Sequence, residues 1–104
     1  MSNQGKRRIL VVDDEITVSK SIRQAILSDQ YEVDMALSGE EALRKDRENP
    51  YDLVITDLMM PGISGLDLLK ALRVARPEVN VIMVTGYPTI KTAVESVKMG
   101  AFDY

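Results

Sequence analysis

The chain has 104 residues, 45% of them hydrophobic, a formal net charge of −3, and neither cysteine nor histidine. That size and apolar fraction suit one compact domain, while the missing residue types exclude disulfides, thiolate metal sites, cysteine nucleophiles and imidazole bases. Any chemistry therefore falls to carboxylates, hydroxyls and lysine, and the basic residues, scattered in mixed-sign groups such as GKRR and RKDRE, do not form the stripe that tracks a phosphate backbone.

Residues 1–7 read as a flexible N-terminal tail leading into ILVVD, a short continuous apolar strand of the kind buried on both faces of a parallel sheet. A helix from Glu15 to Ser28 is expected next, with Val18, Ile22, Ala25 and Ile26 along one side and Lys20, Arg23 and Gln24 turned outward. YEVDMAL alternates, with Tyr31, Val33 and Met35 pointing one way and Glu32 and Asp34 the other, which suggests a half-solvated edge strand. SGEEAL then opens a helix with Ser38 as N-cap and Glu41 at capping-box spacing, and Pro50 disfavours its continuation at Asn49.

DLVITD is the third strand, and Pro61 and Gly62 form a turn behind it. Ser64 and Asp67 repeat the capping-box spacing, Leu68, Leu69 and Leu72 supply a core stripe, and Pro77 ends that helix. VNVIMVT reads as a fourth strand, apolar on both faces. Thr89 to Met99 reads as a helix with Ile90, Ala93, Val94 and Val97 inward and Gly100 as its C-cap, and AFDY as the start of a fifth strand. Strands alternating with helices through short connections predict an α/β domain with a doubly wound parallel sheet. A fourth strand this apolar needs a neighbour, because a bare edge is an aggregation template. The fifth strand and last helix are thus expected to be missing or incomplete here, whether truncated, disordered or supplied by a partner.

Ligands of open parallel sheets sit beyond the carboxyl ends of the strands. Two strands end there in aspartate, Asp13 and Asp14 after the first and Asp57 after the third, and a further strand ends in Thr85. One strand-end aspartate is commonly a helix N-cap. Three converging carboxylates repel unless a cation joins them, and Mg2+, which takes oxygen ligands and keeps several waters, suits that role.

The blocks ILVVDDE, DLVITDLMMPGISGLDLL, VIMVTGY and AVESVKMGAFDY, in that order over about residues 8–104, resemble the receiver domain of bacterial two-component response regulators. The texture is most similar to receivers of nitrogen-regulatory-type activators linked to an AAA+ ATPase and a DNA-binding module. The resemblance implies a flavodoxin-like fold of strand order 2-1-3-4-5. It implies that Asp57 accepts a phosphoryl group from a sensor histidine kinase or phosphotransfer protein. Mg2+ would be held by Asp13, Asp14, Asp57 and the backbone carbonyl of Met59, Asp14 directly and Asp13 through water. Thr85 and Tyr104 would form the switch, while Pro61, Gly62 and Gly65 shape the loop behind the acceptor. A C-terminal output domain, most simply transcriptional, a cytoplasmic location and a homodimer as one form of the active state also belong to this expectation, with no membrane contact and no nucleic acid bound by this domain directly.

The family's lysine three residues past the Tyr104 position lies beyond this sequence, and Lys91 and Lys98 do not match it. Met59 is apolar where family members are often polar, so it cannot guide an attacking water, and slow dephosphorylation is expected. A P-loop ATPase is the weaker alternative, because GYPTIKT places Ile90 where a Walker A motif needs its second glycine. A receiver-like interaction module that works without phosphorylation is the stronger one.

Overall fold

In the computed structural model, residues 7–58 and 60–84 are described, and along them strands and helices alternate as β1 Arg7–Val12, α1 Ile16–Ile26, β2 Tyr31–Ala36, α2 Gly39–Glu48, β3 Leu53–Asp57, α3 Gly65–Ala75 and β4 Asn80–Val84. The strands form one parallel sheet of order β2-β1-β3-β4. This is the doubly wound α/β arrangement expected from the sequence. Residues 1–6, the helix expected over 89–99 and the strand expected from 101 lie outside the described residues.

β1 is a continuous apolar run because both of its faces are covered. Leu10 and Val12 join Val54, Leu68, Leu69, Leu72, Val81 and Met83 in the larger cluster, whereas Ile9, Val11 and Val33 pack with Ile22 and Ile26 of α1 on the other face. Fully burying one such aliphatic side chain is worth about 1.5–3 kcal/mol. A central strand that buries side chains on two faces therefore anchors the sheet and fixes where its carboxyl end lies.

β2 lies at one edge of the described sheet, as its alternation suggests. Gln30 and Ala36 direct their carbonyls to Arg7 at the start of β1 and to Asp13 just past its end, so Val33 and Met35 direct theirs outward. Two cations close that edge: Arg23 Nε of α1 donates to the Val33 carbonyl at 3.2 Å and Lys45 Nζ of α2 donates to the Met35 carbonyl at 2.6 Å. Charged side chains over an open edge discourage strand addition.

α1 departs from expectation in its rotation about its own axis. Val18 and Ala25 are exposed, Arg23 is half-buried, and the one fully buried residue of the helix is Ser19, which shares a face with half-buried Ile22 and Ile26. The outward assignment of Arg23 is thus corrected, because the edge carbonyl of β2 draws its guanidinium in. The helix also spans Ile16–Ile26 rather than reaching Ser28.

The two expected capping boxes differ. Ser64 Oγ accepts from the Asp67 backbone N–H and the Asp67 carboxylate accepts from the Ser64 N–H, so α3 has both halves. In α2 the Ser38 side chain accepts from the Glu41 N–H, but the Glu41 carboxylate accepts instead from the Leu37 N–H at 2.7 Å. That bond, reinforced by Lys45 and Arg44, holds the Glu41 carboxyl below its usual pKa. The far ends of α2 and α3 are tied by an ion pair of buried Asp46 with Arg76, and Asp46 also accepts from the Tyr51 N–H at 3.0 Å.

At the amino end of the sheet, Arg8 pairs with Glu32 at 2.9 Å and lies over the Tyr51 ring, 4.5 Å from its centroid. The Tyr51 hydroxyl donates to Asp34 at 2.6 Å, and burial together with that carboxylate pushes its pKa above the usual tyrosine range. This polar network lies at the opposite end of the sheet from the aspartates. In β4, Val81 and Met83 are fully buried, but Ile82 is half-buried and Val84 is 42% exposed, so among the described residues this strand is buried on one face rather than two. No helix among the described residues is long and apolar enough to cross a membrane.

Candidate metal centre

Asp13 follows the last residue of β1 and Asp57 is the last residue of β3, and these strands are adjacent and in register, with Val12 opposite Thr56. Parallel pairing of neighbours is what brings two carboxylates separated by 44 positions in sequence to one crevice. Asp14 follows directly. One carboxylate oxygen from each of Asp13, Asp14 and Asp57 lies within 4.8 Å of the others, with Asp13 buried, Asp57 half-buried and Asp14 exposed.

The turn after β1 is held by several bonds. The Asp13 N–H donates to the Ala36 carbonyl at 3.1 Å, its Oδ1 accepts from the Glu15 N–H at 2.9 Å, and its backbone carbonyl accepts from the Ser19 hydroxyl at 3.3 Å. Asp13 is therefore fixed at three points, and Asp14 extends from a turn with little freedom. Neither Ser19 nor the Glu15 amide was singled out from the sequence. A small polar residue on the Ile22 and Ile26 face was the available signal for Ser19.

The loop after β3 is shaped by glycine at two places. Gly62 has φ 77, the left-handed region that side chains rarely adopt, and lies against the Glu40 carboxylate. Gly65 starts α3 directly against the end of β3. A Cβ on Gly65 would run into the Asp57 carbonyl oxygen and sit 2.9 Å from Leu58 Cα, while the Gly65 N–H donates to the Leu58 carbonyl at 2.9 Å. Leu58 in turn donates its N–H to the Val84 carbonyl at 3.2 Å, and Thr56 Oγ1 donates to the Asp57 carbonyl at 3.0 Å. Pro61 is exposed in the turn. Met59, Thr85 and Tyr104 lie outside the described residues.

Three carboxylates this close are costly without a counter-charge. Octahedral Mg2+ binds oxygen at about 2.1 Å, which places neighbouring ligand atoms about 3 Å apart and opposite ones about 4.2 Å apart. The donor set is all oxygen and its spread exceeds the octahedral span only slightly, so small side-chain rotations suffice and the residues fit a hard divalent ion. Asp14 is exposed beside buried Asp13, so its side of the cluster reaches solvent.

Comparison with known proteins places this geometry among relatives. The family profile described as response regulator receiver domain matches residues 9–104. The chain is similar to the transcriptional regulatory protein ZraR of Salmonella typhimurium, 36% identical over 101 residues, covering 97% of this chain and 23% of that protein. It is also similar to the regulatory protein AtoC of Escherichia coli, 37% identical over 97 residues, covering 93% of this chain and 21% of that protein. The chain thus spans less than a quarter of the length of either relative. Among solved structures, a response regulator receiver domain protein from Clostridium thermocellum superposes with a TM-score of 0.87 at 40% identity, over 94% of this chain and 79% of that one. The response regulator TrrA from Thermotoga maritima, solved in complex with Mg(2+)-BeF, superposes with a TM-score of 0.84 at 39% identity, over 94% of this chain and 84% of that one.

Proposed function

The chain belongs to the family of response regulator receiver domains, and from that premise we propose that it is a Mg2+-dependent phosphoacceptor whose Asp57 takes a phosphoryl group from a sensor histidine kinase or phosphotransfer protein. The observation that carries this reading is the meeting of Asp13, Asp14 and Asp57 within 4.8 Å at the carboxyl ends of adjacent strands. Asp13, Asp14, Asp57 and the Met59 backbone carbonyl would hold Mg2+, which supplies positive charge to neutralise phosphoryl oxygens during transfer.

An Asp57 carboxylate oxygen is the nucleophile. It forms a bond to phosphorus as the phosphorus–nitrogen bond of the donor's phosphohistidine breaks, and the electron pair returns to the departing imidazole. Pre-positioning is the protein's main contribution, because phosphoryl transfer asks for in-line placement more than covalent work by side chains. The Gly65 contact and the Leu58 bonds keep the Asp57 main chain in place, so its carboxylate meets the phosphorus without a search. Hydrolysis of the resulting acyl phosphate, with water adding at phosphorus and the carboxylate leaving, returns the protein to its resting form.

The product carries more charge and more acceptor oxygens at the strand ends. Thr85 and Tyr104 are the residues proposed to respond, the hydroxyl turning toward the phosphoryl group and the ring following. Likeness to a transcriptional regulatory protein supports an attached transcriptional output, which the sequence texture makes ATPase-linked in this reading, with a cytoplasmic location. Residues 8–104 form the receiver unit in this reading.

The test is to incubate the full chain with Mg2+ and acetyl phosphate and to follow intact mass. Gain of one phosphoryl group, abolished by Asp57→Ala and by chelation of the metal, is expected. Calorimetric titration with MgCl2 runs beside it. Modification that survives Asp57→Ala refutes the assignment of the acceptor. Mg2+ binding without any modification favours an interaction module that works without phosphorylation.

A further inference from the structure

Ser19 stands out among the residues that the family resemblance does not explain. It is the one fully buried residue of α1, a polar side chain at 0% exposure on a helix whose half-buried positions are Ile22, Arg23 and Ile26. A buried hydroxyl must find a partner, and serine within a helix commonly returns its proton to the carbonyl four residues back. Ser21 does this, donating to the Thr17 carbonyl at 3.0 Å. Ser19 instead reaches past its own helix to the Asp13 carbonyl, six residues earlier and outside α1.

That carbonyl belongs to the peptide joining Asp13 to Asp14. Its plane sets the direction in which the Asp14 side chain leaves the backbone, while the Asp13 carboxylate is fixed separately through the Glu15 N–H. We propose that Ser19 is a positioning residue for the acidic centre: its buried hydroxyl orients the Asp13–Asp14 peptide and so sets the distance between two of the three carboxylates. The side chain touches neither metal nor phosphoryl group. Supporting groups of this kind typically change metal affinity by roughly 10- to 100-fold when removed, and a single neutral hydrogen bond acting through the backbone belongs at the lower end.

The inference rests on the metal reading of the site, and its test separates the two. Calorimetric MgCl2 titrations of the full chain, Ser19→Ala and Ser21→Ala are compared well below their melting temperatures. Wild type and Ser21→Ala are expected to bind alike, and Ser19→Ala about tenfold more weakly. In acetyl phosphate reactions, Ser19→Ala should show the same ratio in its half-saturating Mg2+ concentration, with the rate recovered at saturating Mg2+. Equal affinity for Ser19→Ala and wild type overturns the proposal, as does an equal loss in Ser21→Ala. A Ser19→Ala protein that fails to fold assigns the hydroxyl to stability alone and overturns it too. No binding by wild type removes the metal reading itself.

Discussion

Replacing Gly65 with alanine asks whether the start of α3 sets the position of Asp57, the proposed phosphoacceptor. The only described glycine with positive φ is Gly62, so the Gly65 backbone is open to alanine, and on helix propensity alone the change stabilises by roughly 1 kcal/mol. Packing opposes it. The new methyl group would sit 2.9 Å from Leu58 Cα and 3.0 Å from the Asp57 carbonyl carbon, against an ordinary carbon–carbon separation of about 3.5–4.0 Å. The obstacles are backbone atoms, so no rotamer change relieves them. Either α3 backs away from β3 or the Asp57–Leu58 peptide shifts, by at least about 0.5–1 Å to restore ordinary contact.

Overpacking of this sort costs about 1–3 kcal/mol, so the net destabilisation is about 0–2 kcal/mol. At about 4–8 °C per kcal/mol for a domain of this size, the melting temperature falls by up to about 15 °C. A displacement near 1 Å at a reacting group costs up to about 100-fold in rate. The assay is the rate of Asp57 phosphorylation by acetyl phosphate at saturating Mg2+, with melting followed by circular dichroism. A Gly65→Ala protein that melts higher than wild type and is phosphorylated at the same rate refutes the reasoning, because the methyl group would then be accommodated without moving Asp57.

Glu41→Gln removes a carboxylate whose pKa is lowered on folding from an ordinary 4.5, chiefly by the Leu37 N–H. A depressed carboxyl stabilises above its unfolded pKa and loses that contribution as pH falls through the folded value. Wild type should therefore be more stable than Glu41→Gln at neutral pH, with the gap closing in denaturant titrations as pH drops below about 4.5. Removing both cations that close the β2 edge, in Arg23→Met with Lys45→Met, should leave a folded protein that self-associates at high concentration; sedimentation showing an unchanged monomer-to-oligomer ratio counts against that role. Met59→Asn places a polar group beside the proposed path of hydrolytic water and should shorten the lifetime of the acyl phosphate, read by intact mass over time; an unchanged decay discards the idea.

Much of this protein was legible in short stretches. ILVV reads as a doubly covered strand because an apolar residue at every position has no other economical use, and Ser64 with Asp67 reads as a helix start because capping joins groups three residues apart. The alternation in YEVDMAL identified the edge strand for the same reason, since periodicity is a local property. Strand-end aspartates were visible too, as Asp13, Asp14 and Asp57, together with the glycine and proline that turn the chain behind Asp57.

Tertiary structure decided what depends on contacts between distant segments. Pairing of β1 with β3 turned the convergence of three carboxylates from an arrangement compatible with the sequence into a cluster 4.8 Å across. The rotation of α1 placed Ser19 inside and brought Arg23 to an edge carbonyl, reversing the expectation for the latter. Apolar periodicity constrains the phase of a helix only loosely when its stripe is as short as Ile22 and Ile26, so partners on another strand settle it. Glu41 shows the same principle: its spacing from Ser38 allows a capping box, but in the folded chain the Leu37 N–H takes the carboxylate. Hydrogen-bond partners are chosen by three-dimensional proximity, and a linear sequence carries that only where folding keeps neighbours together.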